Sequence, residues 1–182
     1  MDSSLSELLH EWHDFYVLVG TASATLVGLM FIAVSIGTTI FTENHRAALT
    51  AFITPTVMHF AAVLFACLVA LMPNHTWYTL GGLVGAGALA GTVYGGGLVV
   101  QMIVRRRFKV DLSDRMFYAA LPLAGYGLAL AAAVLLFTHA AAISADLIAA
   151  AVLVLLFAAI RNAWDMMVWI VIKTPAGGPP PA

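Results

Sequence analysis

The sequence predicts an all-α fold: a polytopic membrane bundle of five transmembrane helices preceded by a short interfacial helix. Of 182 residues, 62% are hydrophobic and only 9% are charged, against about 25% charged in soluble domains. The charges are clustered, leaving uncharged stretches that approach or exceed the ~20 apolar residues needed to cross a hydrocarbon core of about 30 Å. Connections between these stretches are short, and backbone inside lipid must satisfy its own hydrogen bonds, so every span is expected to be a helix.

Taken in order, residues 1–14 (MDSSLSELLHEWHD) read as an extracytoplasmic amphipathic segment. Ser3 or Ser4 with Glu7 can open a helix, and Leu5, Leu8, Leu9 and Trp12 fall on one face. The segment carries acidic residues and no Lys or Arg, unlike a cleavable signal peptide, and is expected to rest on the outer interface. Residues 15–172 hold the spans, at about 15–40, 51–72, 77–103, 116–140 and 145–172. Residues 173–182 form a Pro/Gly-rich tail expected to be disordered.

Five spans place the loops on alternate sides. Arg46, then Arg105, Arg106, Arg107, Lys109 and Arg115, then Lys173 all fall on one side, and the other side has no Lys or Arg. Because basic residues near span ends stay cytoplasmic, the amino terminus is expected outside and the carboxyl terminus inside, in a plasma membrane such as the bacterial inner membrane. The RRRFKVDLSDR loop adjoins two spans and is partly offset by Asp111 and Asp114. It reads as a topology determinant touching anionic headgroups, not as a nucleic-acid surface.

Polar residues inside the spans carry the functional reading. The last span contains RNAWD, residues 161–165; if the helix stopped at Ile160 the run from Ala145 would measure only ~24 Å, so a continuous helix is expected. Arg161 and Asp165 stand at i,i+4 on one face and can pair, with Asn162 beside them. His59, Tyr94 and Tyr126 fall at similar depth in other spans, which suggests a polar layer near the midplane. Thr21, Thr25, Gly28, Ile32, Ser35 and Thr39 draw a weakly polar stripe down the first span. Pro55 removes a backbone donor near His59 and is expected to bend the second span.

Gly20, Ala24 and Gly28 in the first span, and Gly87, Gly91 and Gly95 in the third, repeat at the four-residue spacing that lets helices approach closely. Such faces serve packing inside one protomer or between copies, and a homo-oligomer is expected. Cys67 is the single cysteine and permits no intrachain disulfide. His10, His13 and Asp14 are the weak candidates for a metal site, but HEWHD lacks the metalloprotease spacing. No nucleophile elbow, phosphate loop or paired haem histidines occur, so no enzyme class and no cofactor are expected.

Two functions follow as expectations. In the first the protein is channel-like or transporter-like, its pathway involving His59, Arg161, Asn162 and Asp165, with Tyr94, Tyr126, Thr21, Thr25 and Ser35 nearby. In the second it is a non-conducting accessory or scaffold protein whose polar residues only specify the bundle. The sequence names no transported ion or solute.

Overall fold

The computed structural model describes residues 3–40, 43–105 and 116–173, with side chains at 5–35, 53–100, 116–140 and 142–168. All regular structure among them is helical: α1 (Ser3–Glu11), α2 (His13–Ile40), α3 (Glu43–Leu71), α4 (Trp77–Arg105), a π-turn (Met116–Ala120) leading into α5 (Leu121–Phe137), and α6 (Ala141–Lys173). Five stretches are long and apolar enough to cross a bilayer: His13–Ser35, Ile53–Leu71, Trp77–Val100, Met116–Phe137 and Ala142–Val168. They fit a multi-pass membrane protein. The basic residues 106–115 and the tail 174–182 lie outside the described residues, as do the side chains of Arg46, Arg105 and Lys173.

The turns between α3 and α4 and between α5 and α6 lie together at one end, where the Trp77 ring is 5.1 Å from that of His139. Asn74 and His139 take the left-handed backbone conformation there (φ 61° and 60°), which asparagine and histidine tolerate better than branched residues. Thr76 starts α4 with a reciprocal cap: its amide donates to Thr79 Oγ1 (2.8 Å) and the Thr79 amide donates to Thr76 Oγ1 (3.1 Å).

In the bundle α6 packs along α5 and α3, α5 along α4, and α2 chiefly along α3. Glycines set several of these approaches. A Cβ added at Gly87 would lie 2.8 Å from the Phe65 ring, at Gly91 2.1 Å from that of Tyr126, and at Gly95 3.2 Å from Leu123. The whole Gly87, Gly91, Gly95 row is therefore consumed inside the protomer. The row in α2 divides: Gly20 faces Cys67 at 3.1 Å, whereas Ala24 and Gly28 are exposed and Gly28 has nothing within 4 Å. Steps of four residues drift by about 40° on a 3.6-residue helix, so by Gly28 the row has left the contact with α3. The buried face of α2 runs instead through Tyr16, Val19, Gly20, Ser23 and Met30.

The half of the core nearest the amino-terminal end is apolar, built from residues such as Val63, Cys67, Leu80, Ala132, Leu136, Ile148 and Val152. α1 folds over this end. Leu5 is 2% exposed and, with Leu8, Leu9 and Trp12, faces a depression formed by Tyr16, Ala66, Ala70, Leu80, Val84, Leu136, Ala145 and Ile148. The helix thus plugs the bundle with the apolar face that the sequence places at the interface. Leu5→Ala is expected to destabilise the protein by about 2 kcal/mol or more, as for other buried leucines. Thermal unfolding in detergent measures it, and an unchanged midpoint would mean that α1 is only loosely seated.

Candidate functional site

Polar side chains gather inside the bundle on α3, α5 and α6, and they do so at two levels. The deeper level pairs His59 with Tyr126: the imidazole Nδ1 and the phenol oxygen are 2.9 Å apart. Both residues are buried, at 1% and 2% exposure. The His59 Nε2 has no hydrogen-bond partner. Ser23 is buried nearby in the α2–α3 contact and donates to the Phe60 carbonyl at 2.7 Å, and Thr56 is buried one turn before His59.

The second level belongs to α6 and the first turn of the α5 span. Asn162 is fully buried and its Nδ2 donates to the Phe117 carbonyl at 3.3 Å. Local sequence explains why that carbonyl is free. In a π-turn the amide five residues on supplies the hydrogen bond; five residues after Phe117 stands Pro122, which has no N–H. Asn162 Oδ1 is left without a partner. Arg161 and Asp165 form the ion pair expected from their i,i+4 spacing, and the Arg161 guanidinium also lies 5.5 Å from the centre of the Phe117 ring, a cation–π contact. The pair is not sealed away, since the side chains are 36% and 29% exposed.

The vertical spacing refines the single polar layer read from the sequence. Phe117 precedes Tyr126 by nine residues, or roughly 13 Å along a helix axis at 1.5 Å per residue. On α6, Gly125 packs against Leu155, seven residues before Asn162, so Asn162 lies about two turns nearer the basic end than Tyr126. The structure brings His59 to Tyr126 and Arg161 to Asp165, with Asn162 beside the second pair. Tyr94 lines a separate apolar cavity, which it shares with Tyr126.

The polar stripe of the first span does not join this cluster. Thr21, Thr25 and Ser35 are exposed on the outer surface of α2. Thr25 donates to the Thr21 carbonyl at 2.9 Å and Ser35 to the Phe31 carbonyl at 2.8 Å, the usual local resolution for hydroxyls on membrane helices. The stripe has the right period and the wrong phase. Ser23 and Thr56, absent from the sequence-based set, are buried hydroxyls close to His59; a signal existed in their positions relative to Gly20 and His59, one turn away in each case.

At the amino-terminal end His13 Nδ1 contacts Asp14 Oδ1 at 3.1 Å in an exposed pair, and His75 Nε2 bonds to the Val69 carbonyl. Among the described residues no three His, Cys, Asp or Glu side chains come together to hold a metal, so His10, His13 and Asp14 are not gathered as a ligand set. No family model, curated protein or solved structure matches the chain.

Proposed function

We propose that the protein is a homo-oligomeric, channel-like or transporter-like membrane protein that accepts a proton or a small polar solute from the basic end of its bundle. In this reading it sits in a plasma membrane with its amino terminus outside and its carboxyl terminus in the cytoplasm. One observation carries the proposal: His59, buried at mid-span, is held by Tyr126 through one nitrogen and offers the other with no protein partner. A buried polar atom without a partner costs about 1–3 kcal/mol, a cost that a leucine filling the same space would avoid. Ionisable groups at this depth mark ion and proton pathways in membrane proteins.

Asn162, Thr56 and His59 supply hydrogen-bonding groups in sequence from the level of Phe117 upward. Beyond His59 the core turns mainly apolar toward the end covered by α1. Assembly of several copies is supported by the outward-facing Thr21, Ala24, Thr25 and Gly28 surface of α2, where small residues leave room for another helix. No cofactor and no nucleic acid enter this reading. In liposomes containing the purified protein, a pH or voltage gradient is expected to drive a proton or small-ion flux that His59→Leu abolishes. A wild-type protein that passes neither leaves conduction without support.

A second reading has its own observation. The Arg161–Asp165 pair and the Asn162–Phe117 bond satisfy much of each other's demand, as expected of residues that fix helix register in a non-conducting scaffold. His59→Leu then raises the unfolding midpoint and changes no flux.

A further inference from the structure

Between α3, α4, α5 and α6 lies a cavity of about 300 Å³, at the lower end of the range typical of small-molecule pockets. More than half of its lining residues are alanine or glycine, and apart from Tyr94 and Tyr126 the rest are apolar too. The Tyr126 oxygen is already engaged by His59. Apolar cavities stay dry and take up apolar guests. Left empty, a space of this size would cost its walls their packing contacts, whereas protein interiors hold few voids larger than a water molecule.

Shape and depth narrow the guest. The lining runs from Val84 to Tyr94 on α4, from Met58 to Ala66 on α3 and from Ile148 to Leu155 on α6, so the cavity extends roughly 10–15 Å along the helices at 1.5 Å per residue. One end lies near Tyr126, which stands eleven residues from Phe137 and ten from Met116, in the middle of its span. The other end is bounded by Ala66, Val84 and Ile148, which also line the depression beneath α1. The cavity thus reaches from mid-span toward the α1 end, about half of a hydrocarbon core ~30 Å thick. That half is the depth filled by the chains of one leaflet.

The mouth runs in the same direction. Met58, Ala61 and Phe65 line the cavity and are exposed on the bundle surface; at steps of three and four residues they form one row along α3. Ala90, also exposed, stands on the α4 side. The opening is therefore a slit parallel to the helices and continuous with the surface that the bundle shows to lipid, and a chain standing along the membrane normal can enter it sideways. We propose that this slit seats one acyl chain of a bilayer phospholipid from the leaflet at the α1 end, with the methyl end of the chain near Tyr126. At about 30 Å³ for a water-sized group, the cavity holds roughly ten methylenes, the inner part of a single chain. The ester and headgroup stay at the interface, so no polar group of the lipid needs a partner inside. The proposal concerns binding and is independent of conduction.

The test uses full-length protein in nanodiscs of phosphatidylcholine that carries a diazirine either near the methyl end or near the ester end of one acyl chain. After irradiation the labelled residues are read by mass spectrometry. Leu89 and Phe157, exposed on the bundle surface, are labelled in any case and serve as the reference. Wild type is expected to carry labels on buried wall residues as well: on Leu155 with the methyl-end probe, and on Val84 and Ile148 with the ester-end probe. Ala90→Trp, at an exposed position on the rim where the fold tolerates bulk, should remove the buried labels and leave the surface labels unchanged. Wild-type labels confined to exposed residues, buried labels in the reverse order of depth, or buried labels undiminished in Ala90→Trp each overturn the assignment.

Discussion

Gly91→Ala is expected to be among the most damaging single substitutions in this protein. The added methyl carbon would stand 2.1 Å from Tyr126 Cε1 and 2.4–2.5 Å from the next two ring atoms, well inside any tolerable contact. Overpacking of a close-packed core costs about 1–3 kcal/mol and sometimes more, and this ring has little room to withdraw. Tyr126 is 2% exposed and tied to His59, so moving it breaks a buried hydrogen bond as well. A loss of roughly 3 kcal/mol is expected, with conduction reduced alongside stability. Gly28→Ala is the control: its Cβ meets nothing within 4 Å, and alanine is the better helix former by up to about 1 kcal/mol. Thermal unfolding of the two variants separates them, and equal midpoints would show that the α4–α5 contact is looser than described.

Asp165→Asn is expected to destabilise the bundle by about 2–4 kcal/mol. Removing one partner of a partly buried ion pair strands the other charge, which is costly for a guanidinium within a membrane span. The partial exposure of both side chains keeps the estimate below that for a fully enclosed pair. Replacing both, as Arg161→Leu with Asp165→Leu, should recover most of the loss, because the pair then leaves no charge behind. A double-mutant cycle measures the coupling directly. If Asp165→Asn melts with the wild type, the pair contributes nothing to the fold and the scaffold reading loses its best support.

Architecture was legible from hydropathy because lipid makes length and apolarity sufficient evidence for a span. The same simplicity hides orientation about each helix axis. In water a helix advertises its buried side by its apolar stripe; here both sides are apolar, so the Thr21, Thr25, Ser35 stripe and the buried Ser23 face are equally plausible on the page. The third-span glycines were readable since Phe65, Tyr126 and Leu123 all need the missing side chains. Asn162 was visible as a polar residue, but its acceptor was not: that depends on a π-turn placed one turn ahead of Pro122, an element with no hydropathic signature. The splitting of the polar residues into two levels escaped for a related reason. The helices differ in length, α3, α4 and α6, at 29, 29 and 33 residues, outreaching the Met116–Phe137 stretch of 22, so equal distances from their ends are not equal depths.

The seat of α1 also constrains how the protein is made. α1 finds its socket among side chains from α2 to α6, and those of α6 are synthesised more than a hundred residues after Leu5. The seat of Leu5 is thus incomplete until α6 has entered the bilayer, and its burial registers the completion of assembly: a segment translated before the spans settles after them.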